Sequence, residues 1–337
     1  MNETGYLLVT DTVPNDGSRD VTADLQRLID ENPNRTLFFP DGLYRISAPI
    51  ITPADPTKSV SLKLADFAVI QADERWDSEE AMIRLGGSHP FNTIYVNGSN
   101  YSLSGGIIDG NSVASGVSID SGRETAVREL AIKHTKIGLH IKHGANGNSS
   151  DADILGVHIT GTGKPDSIGV LVESCDNTFS NMRIANVFYG VKFCQGAGGN
   201  ALRYVHPLYT CDYTDYENCA AFMDLAGNNW YYICYGDQFG NGFRFGEHSG
   251  GCVLDGCMSY WYAARGEHQV ALRCDGAFRS AVTNLKVGFR AAIENRAVLR
   301  TAKDGGGGFL QNLCLNHGEE ATLGDETYRA YLRGTVL

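Results

Sequence analysis

The segment Asn177-Thr-Phe-Ser-Asn-Met182-Arg-Ile184-Ala-Asn186, followed by Tyr189-Gly190-Val191-Lys-Phe193, is one copy of a unit that recurs with small changes through Cys175–Asp275. Upstream copies are Leu130-Ala-Ile-Lys-His134 with Gly138-Leu-His-Ile-Lys142, and Val157-His-Ile159 with Gly169-Val-Leu-Val-Glu173. Downstream lie Trp230-Tyr-Tyr-Ile-Cys-Tyr235 with Gly242-Phe-Arg-Phe245, Met258-Ser-Tyr260 with Val270-Ala-Leu-Arg273, and Leu285-Lys-Val287 with Ala297-Val-Leu-Arg300. Each copy holds two short strands of period two, with apolar side chains on one face and polar ones on the other. The second strands start at positions 138, 169, 190, 220, 242, 270 and 297, roughly 26 residues apart. A unit this short buries its apolar face only by stacking on its neighbours, so the period means a solenoid.

Period two excludes helical repeats, and the leucine-rich signature is absent. What remains is an all-β, right-handed parallel β-helix. Asn177, Asn181, Asn186 and Asn284 at strand ends fit tight left-handed turns that stack from coil to coil. Asp20-Val-Thr-Ala-Asp-Leu-Gln-Arg-Leu-Ile-Asp30 has an N-capping Asp or Thr and helical apolar spacing, and reads as a helix covering the open end of the stack. The whole of 1–337 reads as one domain, with an N-terminal cap over about 1–50, coils over about 51–315 and a tail over 316–337 that covers the far end or meets a partner subunit.

With 42% hydrophobic and 20% charged residues the chain is long enough for a large core. Its net charge of -11, with no basic block, argues against nucleic-acid binding. No apolar run approaches a membrane span, and Met1-Asn-Glu-Thr-Gly lacks the features of a signal peptide, so the protein reads as cytoplasmic, or secreted after loss of a leader. The nine cysteines lack metal-ligand spacing and read as small buried hydrophobes in a reducing compartment.

The capping helix, the Phe-Pro-x-Gly-x-Tyr segment (Phe39, Pro40, Gly42, Tyr44) and Gly106-Ile-Ile-Asp-Gly-Asn111 together resemble the pectate-lyase and polygalacturonase superfamily of right-handed β-helices. The resemblance covers about the first 110 residues by motif and the rest by repeat pattern. It implies a carbohydrate-active protein, usually a polysaccharide hydrolase or lyase. The acidic motifs of true polygalacturonases are not intact here; their nearest echo is Gly236-Asp237.

Three insertions precede second strands: 161–167, 207–217 and 261–268. They are expected to project from one corner of the solenoid, as functional loops on a rigid scaffold do. The corner gathers carboxylates and aromatic faces, which suit sugar rings and glycosidic bonds. Glycoside hydrolysis needs two carboxyl groups, one protonating the leaving oxygen and one ionised. Stacked strands lie about 4.8 Å apart, so acids on neighbouring coils approach the separations such enzymes use. The candidate catalytic residues are Asp237, as the acid, with Glu217 or Asp215 as base or nucleophile; His206, Tyr213, Trp261, Arg265, Glu267 and Lys164 are candidate substrate contacts. A competing outward stripe places Lys192, Phe222 and Arg244 beside Glu173 and Asp224, as a groove for an acidic sugar or as ion pairs on a solvated face.

The leading expectation is therefore a glycoside hydrolase or intramolecular glycosyl transferase acting on an oligo- or polysaccharide without a cofactor. A polysaccharide lyase on a uronate polymer is the alternative, with Lys164, Arg265 and His206 as its cations and Ca²⁺ as its metal. A non-catalytic carbohydrate-binding or phage-type β-helix is the third. Side-by-side association as a homotrimer fits the exposed aromatics of the corner.

Overall fold

The computed structural model describes residues 5–53, 55–86, 101–120, 122–143, 151–211, 215–291, 293–316 and 327–336. Two compact units emerge: Met1–Thr162 with Glu173–Thr178, and Gly163–Val172 with Phe179–Leu337. Both are built of parallel strands stacked coil on coil.

In the first unit Tyr6–Leu8 pairs with Thr36–Phe39, Gly42–Ile46 with Ala68–Ala72, and Ile107–Asp109 with Ala131–Thr135, all parallel. The helix Thr22–Glu31 turns Leu25 and Ile29 inward. Val21 occupies its N-cap position, and the Asp20 carboxylate one residue earlier accepts from the Thr22 amide at 2.9 Å. The helix also satisfies a strand edge: the Gln26 side chain donates to the Ile51 carbonyl and accepts from the Ile51 amide, both at 2.9 Å. One glutamine thus stands in for a missing neighbour strand, which is how an open stack avoids exposed backbone.

The second unit carries the repeat. Ile168–Val172, Tyr189–Phe193, Ala220–Asp224, Asn241–Phe245, Gln269–Ala277 and Arg296–Lys303 form one continuous parallel sheet in that order. Positions 169, 190, 220, 242, 270 and 297 all fall in these strands. A second sheet of the unit includes Ala201–Leu208, Trp230–Tyr232, Tyr235–Asp237, Val253–Asp255 and Met258–Trp261. Between the sheets the aromatic core closes: Phe222 stacks on Phe243 with centroids 4.7 Å apart, and Tyr231 meets both edge-on.

The register corrects the outward stripe. Lys192 lies opposite Met223, not Phe222, and Met223 opposite Arg244. Phe222 and Asp224 both point inward. Asp224 is a fully buried carboxylate that accepts from the amides of Ala226 at 2.9 Å and Gly227 at 2.7 Å, from the Asn229 side chain at 2.9 Å and from the Tyr231 hydroxyl at 2.7 Å. These four donors, with the Ser249 hydroxyl at 3.4 Å and the Cys252 thiol at 3.3 Å, replace the water it has left, as burial of a carboxylate requires. Six of the nine thiols are buried, and burial pushes Cys219, Cys234 and Cys274 up to about 12, so they sit as apolar filler and not as nucleophiles. The tail forms the strand Leu332–Val336, parallel to Phe309–Leu315.

Candidate active site

Unequal links between strands create the site. Residues 209–219 join Ala201–Leu208 to Ala220–Asp224, and 262–268 join Met258–Trp261 to Gln269–Ala277. In the coil between them only Gln238-Phe239-Gly240 link Tyr235–Asp237 to Asn241–Phe245. Two long loops with a short one between them leave a cleft of about 810 Å³, lined by Asp215, Tyr216 and Glu217 of the first long loop and by Gly266, Glu267 and His268 of the second. The sheet contributes Arg273, Asp275 and Arg300 among others, and Asn295 also lines the cleft.

The first loop is pinned from beneath. Tyr216 lies so close over Gly240 that a Cβ there would sit 1.6 Å from its carbonyl oxygen, which only glycine permits. The Glu217 carbonyl accepts from the Asn241 side chain at 2.9 Å and from Arg273 Nη1 at 2.7 Å. Asn241 also donates to the Cys219 carbonyl at 2.8 Å. With both amide hydrogens committed, its oxygen accepts from His268 Nε2 at 3.0 Å, which fixes the proton of the imidazole on Nε2. Burial, together with the charges of Arg300, Arg273 and Arg244, lowers His268 to about 4. It is neutral at pH 7.

Arg244, Arg273 and Arg300 form a ladder in register on three neighbouring strands. Asp275 bridges two rungs, its oxygens 2.9 Å from Arg244 Nε and 3.1 Å from Arg273 Nε. In the first loop the Asp215 carboxylate accepts from the Asn218 side chain at 3.0 Å. The cleft therefore gathers three acidic loop residues, Asp215, Glu217 and Glu267, in one lining with Arg273 and Arg300 of the sheet.

The expected site residues separate into groups. Asp215, Glu217 and Glu267 meet in the cleft. Asp237 is not among its walls: it ends the strand Tyr235–Asp237, one corner earlier, and pairs with His206 Nε2 at 3.0 Å. His206 stacks on Tyr235 with centroids 3.7 Å apart. The expected partnership of Asp237 with Glu217 is thus not made in the cleft, because 238–240 turn the chain between them. Trp261 is 2% exposed, stacks on Phe289 at 5.0 Å and donates its indole to the Phe239 carbonyl at 2.7 Å. It packs the core. Arg265 is exposed on the 262–268 loop outside the lining, Lys164 is exposed in the link before Ile168–Val172, and Tyr213 lies outside the described residues.

Sequence reading passed over Arg273, Arg300, Asp275 and Asn241. The signal was present: Phe243-Arg244, Leu272-Arg273 and Leu299-Arg300 repeat an apolar residue followed by arginine at the same point of successive second strands.

No protein-family model matches the chain, and no curated protein sequence matches it. Several solved structures do. The tailspike protein of E. coli bacteriophage HK620, solved in complex with a pentasaccharide, is similar with a TM-score of 0.66 and 12% identity over 92% of this chain. The chain spans 65% of the length of that tailspike. An alginate lyase from Paenibacillus sp. str. FPU-7 gives a TM-score of 0.60 and 13% identity over 85% of this chain and 96% of the lyase. The catalytic unit of a GH87 alpha-1,3-glucanase from Streptomyces thermodiastaticus gives 0.53 and 12% over 92% of this chain and 69% of the glucanase. The shared fold is the parallel β-helix. At such identities the likeness shows the fold alone.

Proposed function

We propose that this chain is a carbohydrate-active β-helix that hydrolyses glycosidic bonds in the cleft of its second unit, with Glu217 and either Asp215 or Glu267 as the carboxylate pair. The observation that carries the reading is the convergence of these three carboxylates, from two loops two coils apart, in one cleft large enough for a sugar. One carboxyl protonates the leaving oxygen while the other acts as base or nucleophile. The grip of Asn241 and Arg273 on the Glu217 carbonyl holds that wall in place, as a catalytic carboxylate requires. The similar structures, a tailspike solved with a pentasaccharide, an alginate lyase and a glucanase, support a glycan as substrate.

One observation favours a second reading. Arg273 and Arg300 in the same cleft suit the carboxylate of a uronate, the feature a lyase neutralises before removing a proton. The test is product release from a panel of neutral and uronate oligosaccharides, read by reducing ends and by ultraviolet absorbance. Hydrolysis yields reducing ends without new absorbance, and Glu217→Gln lowers kcat at least 100-fold with the fold intact. New absorbance at the unsaturated ring moves the assignment to elimination. Full turnover in Glu217→Gln, Asp215→Asn and Glu267→Gln alike would overturn the cleft as the catalytic centre.

A further inference from the structure

The second unit bears an aromatic surface that the cleft does not use. On Trp230–Tyr232, Tyr231 points inward and locks its hydroxyl on the buried Asp224 at 2.7 Å, so Trp230 and Tyr232 both stand outward on a rigid strand. They are 38% and 39% exposed. Two residues apart on one strand, they stand about 6.7 Å from each other. Beside them Tyr204 and Ile233 are 39% and 47% exposed. Arg203 lies opposite Tyr232 in the register and sets its guanidinium 5.1 Å over the Tyr204 ring. On the other side Tyr232 faces Asp255, a carboxylate held ionised by Thr283 and Asn284.

The backbone beneath is strained. Tyr204 and Ile233 have φ of 55° and 52°, the left-handed conformation, which the equivalent corner of the following coils gives to Gly256, Asn284 and Asn312. For a β-branched residue this conformation costs about 1–2 kcal/mol. An isoleucine half in solvent recovers little of that by burial, so neither the backbone nor the core accounts for the side chain. The four side chains expose on the order of 350 Å². A stable protein partner needs about 800 Å² per side, so the patch fits a smaller occupant. Flat aromatic faces flanked by one guanidinium and one carboxylate match the alternation of apolar C–H faces and hydroxyl edges on a sugar chain.

We propose that Trp230, Tyr232 and Tyr204, with Arg203 and Asp255 at the rim, form a non-catalytic glycan-binding platform separate from the cleft, long enough for about two or three pyranose rings. The proposal does not depend on which cleft residues act, or on whether the cleft turns substrate over.

The protein contains its own probe. Of its three tryptophans Trp76 and Trp261 are 7% and 2% exposed, so Trp230 dominates any solvent-sensitive fluorescence. The test titrates α-1,3-glucan and alginate oligosaccharides into the full chain and into Glu217→Gln, following tryptophan emission, with calorimetry for Trp230→Ala and Tyr232→Ala. The expected result is a saturable emission change with at least one oligosaccharide, undiminished in Glu217→Gln. Trp230→Ala and Tyr232→Ala each weaken calorimetric binding at least tenfold, with melting temperatures close to wild type. No saturable change with either glycan overturns the platform, as does binding that Glu217→Gln abolishes and Tyr232→Ala leaves intact. Sedimentation showing an oligomer that Tyr232→Ala dissociates would give the surface to a second copy of the chain and equally overturn it. Absence of turnover in the product assay leaves this titration unaffected, so the two readings fail separately.

Discussion

Single side chains decide both stability and protonation in the second unit. Asp224 is the clearest case: six donors converge on a carboxylate with no access to water. Asp224→Ala strands those donors and is expected to destabilise the protein by more than about 3 kcal/mol in urea unfolding, whereas a surface carboxylate changes little. His268 makes the pH prediction. Its folded value, about 4, lies below the ordinary 6.5, so the unfolded chain takes up a proton that the folded one refuses. Its contribution is complete above about pH 7, declines as pH falls through 6.5 towards 4, and amounts to at most about 3 kcal/mol. Unfolding at pH 7 and pH 4.5 should differ less in His268→Gln than in wild type; an equal difference would assign the effect to the cleft carboxylates instead.

Elements explain why the cleft lies where it does, and why part of it was hidden in the sequence. Glycine recurs at the second position of several second strands, as in Gly190 and Gly242, where a Cβ would meet the Ala221 carbonyl at 2.4 Å or the Ser259 hydroxyl at 2.0 Å. In Ala220–Asp224 that position is Ala221. Aligning Ala220 with the glycines therefore shifts the strand by one residue, and a one-residue shift in a strand exchanges the inward and outward faces. That slip turned the inward Phe222 and Asp224 outward. The loop carboxylates Asp215, Glu217 and Glu267 were legible because they lie in insertions, which disturb the repeat. Arg273 and Asp275 were not, because they sit inside strands whose repeat they obey. Gly240 tests the geometry of the wall: Gly240→Ala collides with the Tyr216 carbonyl and should cost at least about 2 kcal/mol while exposing the adjoining loop to faster proteolysis. Gly196→Ala, whose Cβ meets nothing within 4 Å, should cost about 1 kcal/mol through its backbone alone and leave proteolysis unchanged. Equal proteolysis in the two variants would remove the role given to Gly240.

At the level of the molecule the fold was the most legible property, since it depends only on a period and an alternation that every coil repeats. The chemistry was less so, because it depends on which face a few residues take and on how long three links are. The parallel register has one more consequence. Ile168 meets Tyr189, Tyr189 meets Ala220, Ala220 meets Asn241, Asn241 meets Val270 and Val270 meets Ala297, so partners in the arginine-bearing sheet are 21 to 31 residues apart. Closing a loop grows dearer by only about 0.6 kcal/mol for each doubling of its length, and none of these loops is twice another. Each coil thus meets nearly the same entropic barrier as it joins the stack. Folding of this sheet can begin at any coil and spread in either direction, with no pairing that must wait for a distant strand.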